Sequence, residues 1–275
     1  MKNKLQTLNH HQARFVKISA SLGILLVAVI YLVSFYPVNA INTQSVLLNG
    51  SSQYLFKANA TTSALNITGD FTIETWVKLA SQPTADPYTI VAKFDGSGSS
   101  DRSYLVNYDS GGNLGCGVSQ TGGGTSVVAI NQSLSNGTWY HVAAVYSSAT
   151  GNCQIFVNGS SIGSGITDSG GPFVGAAPFT IGFMLGNNAS FLDGKLDDVR
   201  VYNVARTQSD IQSDYLQELN GDEVGLIAYW KFTGDLIDST SNGNTLSSQN
   251  GNTFSNDVPF SVLAPTINSF GASPS

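Results

Sequence analysis

Short apolar runs separated by turn-forming residues fill most of the chain after residue 43. The most informative stretch is 138–163, where segments 139–146 and 153–157 are rich in aromatic and β-branched residues. Such residues favour strands, and Asn158-Gly159 suits a type I′ turn because both of its central residues need positive φ. Apolar residues occupy both sides of the strand at 139–146, so we expect both of its faces to be covered.

The same pattern predicts further strands along the chain. They fall at 45–56, where an Asn-Gly turn divides two strands, and at 70–79, 88–94, 104–108, 114–118, 127–130, 179–183, 195–202 and 225–233. Gly-rich turns at 110–113 and 121–124 separate three of them into a meander, which is typical of all-β folds. The sequence therefore predicts an all-β, two-sheet antiparallel sandwich with Trp76, Val142, Phe156, Val199 and Trp230 buried.

One helix is predicted at 207–219. Thr207 can cap its N-terminus, and Asp210 occupies the position at which a capping box carries an acidic or amide side chain. An apolar stripe follows at i, i+4 and i+8, formed by Ile211, Tyr215 and Leu219. We expect the helix to lie on the sandwich along this stripe.

Three motifs give the chain a family resemblance. Segment 69–77 reads GDFTIETWV, 137–146 reads GTWYHVAAVY and 194–203 reads GKLDDVRVYN. In this order they resemble the laminin-G-like jelly roll of the concanavalin A-like lectin and glucanase superfamily, which is related in fold to the pentraxins. The resemblance implies a jelly roll over 43–262, and it says little about function because the motifs are mainly core strands.

The N-terminus predicts export. Basic residues within 1–17 precede an apolar run at 18–35, and residues 38–40 (VNA) offer a cleavage site. A run of ~18 residues spans ~27 Å as a helix, so segment 18–40 is either a cleaved signal peptide or a retained membrane anchor. In both cases 1–17 is a cytoplasmic basic region, and the globular part is extracellular or at the cell surface.

The C-terminal part allows two interpretations. Strand 225–233 resembles a phrase that commonly opens a jelly roll in this family, yet here it follows one. It either closes the sandwich by pairing with the N-terminal strand or begins a second, truncated copy. Closure is favoured because 257–260 (DVPF) resembles a domain end. Residues 263–275 are a linker or the start of an immunoglobulin-like module.

The charge of the chain excludes nucleic acid as a partner, and its cysteine content predicts a disulfide. Only 11% of residues are charged and the formal net charge is −6, so no basic patch can bind the phosphates of a nucleic acid. Cys116 and Cys153 are the whole cysteine set, and in an exported chain a disulfide between neighbouring strands is the first expectation. Two free core cysteines are the alternative.

Catalytic candidates are few. The chain has three glutamates, Glu74, Glu218 and Glu223, and His141 is the one histidine outside the N-terminal region. Glycoside hydrolysis needs two carboxylates ~5–10 Å apart, and the E-x-D-x-x-E strand of related glucanases is absent. Asp197 and Asp198 are adjacent in a strand, so they should point to opposite faces. We therefore predict no catalytic residue and no enzyme, with a glycoside hydrolase as the less favoured alternative.

Binding residues are expected in the loops at the sandwich rim, where Pro and Gly are frequent. The candidates for ligand binding are Tyr88, Phe94, Asp95, Arg102 and Tyr104. The family resemblance also implies a metal position at Asp197, to which Asn49 and Gln53 could add neutral oxygens, so calcium is a candidate cofactor. In the alternative interpretation, Asp197 accepts hydrogen bonds from backbone amides of a neighbouring turn.

These observations predict an exported, non-catalytic recognition module. It would bind a glycan or a protein partner at the cell surface through its rim loops. The alternative is a structural spacer or adhesin repeat of a larger surface protein, with no small ligand.

Overall fold

A computed structural model describes residues 43–98, 100–187 and 190–260. The predictions for 1–17, 18–40 and 263–275 lie outside the described residues. Within the described ranges, no helix has the length and apolar character needed to span a membrane.

The described chain forms fifteen strands and one helix. The strands are β1 Ser45–Asn49, β2 Tyr54–Lys57, β3 Phe71–Leu79, β4 Tyr88–Phe94, β5 Arg102–Tyr108, β6 Asn113–Val118, β7 Ser126–Asn131, β8 Tyr140–Ser147, β9 Asn152–Val157, β10 Ser160–Ile166, β11 Phe179–Ile181, β12 Asp193–Tyr202, β13 Leu226–Trp230, β14 Ser247–Gln249 and β15 Thr253–Ser255, and the helix is α1 Gln208–Asp214.

The strands form two antiparallel sheets. Sheet A has the order β10-β9-β8-β3-β12-β1-β15, and β13 also pairs with β12. Sheet B has the order β14-β2-β11-β4-β5-β6-β7. The predicted all-β sandwich with one short helix is confirmed. The predicted meander corresponds to β4 to β7, and the predicted Asn-Gly turn joins β9 to β10 with φ values of 49° at Asn158 and 73° at Gly159.

Apolar side chains from both sheets fill the space between them, as the alternation predicts. The five residues expected to be buried are at most 6% exposed. Phe156 packs on the outer side of sheet A with Ala143, Val145 and Ile211, so helix α1 covers that side. Both faces of β8 are therefore covered, as the sequence predicts.

Cys116 and Cys153 form a disulfide, with their Cα atoms 6.4 Å apart. Cys116 lies on β6 of sheet B and Cys153 on β9 of sheet A. The bridge is therefore confirmed, but the strands that it joins are in opposite sheets rather than neighbours in one sheet.

The helix is shorter than predicted. Thr207 caps it and forms the capping box with Asp210, but the helix ends at Asp214 instead of 219. The carbonyl of Asp214 accepts a hydrogen bond from Arg200 Nη1 (3.1 Å), and that of Tyr215 accepts one from Trp76 Nε1 (3.0 Å). Side chains of sheet A thus satisfy the carbonyls at the helix end, where the chain turns.

The strand predicted at 225–233 closes the sandwich, but with a different partner. β13 pairs with β12 through Val199 and Trp230, whereas the other neighbour of β1 is β15. The expectation that this strand pairs with the N-terminal strand is therefore wrong. β12 has the space to accept it because β1 occupies only the first part of β12, at residues 193–196.

Asp257 holds the segment that follows β15 on sheet A. Its carboxylate accepts from Lys78 Nζ (2.8 Å) and Lys195 Nζ (2.6 Å), two residues that face each other across β3 and β12. Trp139 Nε1 donates to it as well (3.0 Å). Partial burial would raise the pKa of Asp257, but the hydrogen bonds from Lys195, Lys78 and Trp139 outweigh it and hold this pKa well below its usual range. We call this arrangement the Asp257 clamp.

Candidate functional site

A polar cleft opens at the end of the sandwich where β3 turns into β4. Its volume is about 390 Å³, within the range of ligand pockets. We call it the rim cleft, and it is lined by Asn49, Gly50, Ser81, Gln82, Thr84, Ala85, Asp86, Tyr88 and Asp193. Residues from β1, the β3–β4 loop, β4 and β12 thus meet at one place.

The walls of the rim cleft are fixed by their own hydrogen bonds. Ser81 Oγ donates to Asp193 Oδ2 (2.6 Å) and lies 2.8 Å from the Tyr88 hydroxyl. Asn49 Oδ1 accepts from the backbone N–H groups of residues 51, 52 and 53, which shapes the β1–β2 turn. Gly50 has a φ of 67°, and a Cβ there would lie 2.6 Å from Asp193 Cβ, so only glycine fits.

Aromatic rings lie beside the cleft on the outer face of sheet B. We call them the aromatic strip, defined as Tyr54, Phe56, Phe183 and Phe191. The ring centroids of Tyr54 and Phe183 are 4.6 Å apart and those of Phe183 and Phe191 4.4 Å. Tyr54 and Phe56 face outwards because Leu55 between them belongs to the core. Phe183 is buried, whereas the other three rings are half-buried and present part of their surface to solvent.

The strip and the cleft are structurally connected. Tyr54 follows Gly50 by four residues, and Phe191 precedes Asp193 by two. Asn187 Nδ2 donates to Asp86 Oδ1 at 3.3 Å, which links the chain around the strip to the cleft wall. The strip and the cleft therefore adjoin each other in the fold.

The five residues predicted to bind ligand do not form one site. Tyr88 begins β4 and lines the rim cleft. Phe94 ends β4, so it lies about 20 Å away at ~3.3 Å per residue. Arg102 lies there as well, with its guanidinium carbon 5.5 Å from the centre of the Phe94 ring. Asp95 Oδ1 accepts from the backbone of Ser97 in the β4–β5 loop (2.8 Å).

Tyr104 requires a correction because it does not face a rim loop. β5 begins at Arg102, so Tyr104 lies inside a strand and is 0% exposed. Its hydroxyl donates to the carbonyl of Leu65 (2.9 Å), and burial raises the pKa of Tyr104 above its usual range. This ring is part of the core.

The predicted metal ligands are also separated. Asn49 pairs with Asp193, whereas Asp197 lies four residues further along β12, roughly 13 Å away at ~3.3 Å per residue. Asp197 is 0% exposed, and Gln53 donates its backbone N–H to Asn49. In the part of the chain that the structure describes, no group of three or more His, Cys, Asp or Glu side chains could hold a metal. Calcium binding by this chain stays a prediction.

The chemistry-bearing side chains gather elsewhere, on the outer face of sheet A. We call them the buried charged network, which comprises Glu74, His141, Asp198, Arg200, Arg206 and Asp214. Glu74 Oε1 accepts from Arg206 Nη1 (2.8 Å), and Glu74 Oε2 lies 3.4 Å from His141 Nε2. Arg200 binds Asp198 and Arg206 binds Asp214.

Glu74 is fully buried in this network. Burial would raise its pKa, but the hydrogen bond and charge of His141 and the charges of Arg200 and Arg206 lower it from 4.5 to about 2. Asp198 has a φ of 54° and lies at a break in the register between β12 and β3. The expected strict alternation of the Asp197 and Asp198 side chains between opposite faces of the sheet therefore fails at this point. Each carboxylate of the network is thus paired with an arginine.

The sequence reasoning missed the aromatic strip and the two acidic residues of the cleft, Asp86 and Asp193. Alternation in β2 could have indicated Tyr54 and Phe56, since an inward Leu55 places both on the outer face. Sequence offered no signal for Phe191, which reaches the strip from the segment between β11 and β12.

Comparisons with known proteins agree with this architecture. The sequence profile of the Laminin_G_3 family, of the concanavalin A-like lectin/glucanases superfamily, matches residues 49–212. No curated protein matches the sequence closely. A solved structure from Bacteroides ovatus ATCC 8483, assigned to carbohydrate binding, is 22% identical with a TM-score of 0.58, and the match covers 78% of this chain and 60% of that one. The heptameric SAP-like pentraxin from Limulus polyphemus is 16% identical with a TM-score of 0.54, over 78% and 94% of the two chains.

These structural likenesses establish the fold, which is that of lectin-like and carbohydrate-binding jelly rolls. The chain spans 60% of the length of the Bacteroides ovatus protein. The profile match is the stronger evidence of kinship because it covers more than half of the 275 residues and includes all three motifs completely. The chain therefore belongs to the Laminin_G_3 family of the concanavalin A-like lectin/glucanases superfamily.

Proposed function

We propose that this chain is an exported, non-catalytic module that binds carbohydrate through the rim cleft and the aromatic strip. The observation that carries the proposal is the placement of half-buried aromatic rings beside a polar cleft. Sugars have apolar C–H faces that pack on aromatic rings, and hydroxyls that need hydrogen-bonding partners. Family membership supports the same class of ligand.

An extracellular location is supported by the disulfide between Cys116 and Cys153, because such bonds persist in oxidising compartments. The absence of catalysis is proposed from the buried charged network. Its carboxylates are paired with arginines, and Glu74 is 0% exposed, so this carboxylate is closed to a substrate in the folded chain.

A glycan array probed with the full chain, disulfide closed, tests the proposal. We expect reproducible binding to a limited set of glycans, and weaker binding by Tyr54→Ala. Phe173→Ala is the matched control, because Phe173 is a half-buried ring beside Gly122 in the β6–β7 loop, away from the strip. Silence over the whole array would favour the structural spacer instead.

The same array run with calcium and with EDTA tests the cofactor prediction. Binding that needs calcium would indicate a cation at the site, with oxygens such as those of Asn49 and Asp193 as candidate ligands. Binding that is unchanged by EDTA would indicate recognition by side chains alone.

A further inference from the structure

We infer that the ligand is a neutral glycan of at least two sugar units, with one ring packed on the aromatic strip and its neighbour hydrogen-bonded in the rim cleft. This inference rests on the proposed function and adds the charge class and the arrangement of the ligand.

The rim cleft is lined by acidic but not by basic side chains. The residues that line the rim cleft include two carboxylates, those of Asp86 and Asp193, and no Lys, Arg or His. Carboxylate oxygens accept hydrogen bonds from sugar hydroxyls, whereas they repel the carboxylate or sulfate of an acidic sugar. The cleft therefore favours neutral sugars over acidic ones.

Three lysines of the adjoining strands do not line the cleft, and each has an oxygen partner elsewhere. Lys78 of β3 and Lys195 of β12 both bind Asp257 in the clamp on sheet A. Lys57, at the end of β2, donates to the carbonyl of Gly243 (3.1 Å). None of these three ammonium groups is therefore part of the cleft wall, where an acidic ligand would need a cationic partner.

The rings of the aromatic strip are held in position and are connected to the rim cleft. Phe183 is 4% exposed and contacts the rings of both Tyr54 and Phe191, so these two half-buried rings are held in place before a ligand arrives. Preorganised groups lose less conformational entropy on binding. Asn187 joins the chain around the strip to Asp86 of the cleft wall, so the two surfaces are connected by a hydrogen bond. A ligand that uses both needs one sugar unit on each.

Affinity electrophoresis of the full chain tests the inference with matched polysaccharides. The neutral arm contains laminarin, galactomannan, xyloglucan and fully methyl-esterified polygalacturonan. The acidic arm contains de-esterified polygalacturonan and alginate. We expect retardation by at least one neutral polysaccharide and none by the acidic ones. A monosaccharide should compete far more weakly than the corresponding di- or trisaccharide.

Variants locate the site. Tyr54→Ala and Phe191→Ala should each weaken retardation by about tenfold, which corresponds to ~1.4 kcal/mol. Tyr54→Leu, which keeps apolar bulk but lacks the ring, should weaken it as well, and Phe173→Ala should leave it unchanged. The double change Asp86→Asn with Asp193→Asn should allow de-esterified polygalacturonan to bind more strongly than it does to the unchanged chain.

The outcomes separate the inference from the proposed function. Equal retardation by acidic and neutral polysaccharides, abolished by Tyr54→Ala, would overturn the neutral-ligand inference and leave carbohydrate binding at the strip. Retardation that survives both strip variants would overturn the location. No retardation by any polysaccharide would remove the proposed function together with the inference.

Discussion

The two outer faces of this sandwich are built in opposite ways. On sheet A, Glu74, His141 and Arg200 are at most 1% exposed and are covered by α1. On sheet B, Tyr54, Phe56 and Phe191 are half-buried rings. A covered face must pair every charge that it buries, so its side chains serve the structure. An open face can keep apolar rings at the surface, and this is the difference on which the proposed binding face rests.

The largest effect should come from breaking the buried charged network. Glu74→Gln removes the charge that Arg200 and Arg206 share, and a buried ion pair that loses one partner costs roughly 3–5 kcal/mol. Urea-induced unfolding measures the loss. Asp222→Asn, at an exposed carboxylate, is the control and should stay within ~0.5 kcal/mol. An equal, small effect of both changes would contradict a structural role for the network.

Reduction of the disulfide should lower the stability of both sheets together. Cys116 and Cys153 are 37 residues apart, and the chain-entropy model gives roughly 3–4 kcal/mol for a loop of this size. Denaturation of the oxidised and reduced chains measures the difference. Because the bridge joins β6 to β9, amide exchange should rise in both sheets. A rise confined to one sheet would mean that the sheets unfold separately.

Low pH should reduce the contribution that Glu74 of sheet A makes to the free energy of unfolding. The pKa of Glu74 is about 2 in the folded protein against 4.5 for the free group, so its stabilisation is full above pH ~4.5 and is lost as pH falls towards 2. The stability difference between the unchanged chain and Glu74→Gln should therefore shrink over this range, by on the order of 3 kcal/mol. The Asp257 clamp is present in both chains and cancels. A difference that is constant with pH would refute the lowered pKa.

The smallest expected effects on the free energy of unfolding come from removing one tyrosine hydroxyl on each outer face. Tyr229 is 0% exposed and its hydroxyl accepts from the backbone of Leu219 (3.3 Å), so Tyr229→Phe leaves a buried donor unpaired and should cost about 1–3 kcal/mol. Tyr54→Phe, at a half-buried ring, should change the free energy of unfolding by less than ~0.5 kcal/mol. Thermal unfolding of the two variants in parallel tests this. Equal costs would mean that the strip contributes as much to stability as the covered face of sheet A does.

The same contrast explains what could be predicted from the sequence. The three family motifs correspond to β3, β8 and β12, which are adjacent in the order β8-β3-β12 at the centre of sheet A. These strands are covered on both faces, so nearly every position is constrained by packing and the pattern is readable. The fold therefore follows from the sequence with few errors.

The candidate site could not be predicted in the same way. Tyr54, Asp86 and Phe191 come from distant parts of the chain and meet only after the strands have paired. The apolar alternation around Tyr104 is the same whether this residue lies inside a strand or at its end. The pairing register of β1 with β12 places Asn49 opposite Asp193 and therefore four residues away from Asp197. Long-range pairing, which has no local signal, determined each of these outcomes.

The Asp257 clamp has a mechanical consequence. Its partners Lys78, Lys195 and Trp139 lie on β3, on β12 and directly before β8, the central strands of sheet A. Tension applied to the chain beyond residue 257 would therefore reach these three strands in parallel before it reaches β15. β15, the three-residue edge strand that precedes the clamp, is thereby shielded from being peeled away one hydrogen bond at a time.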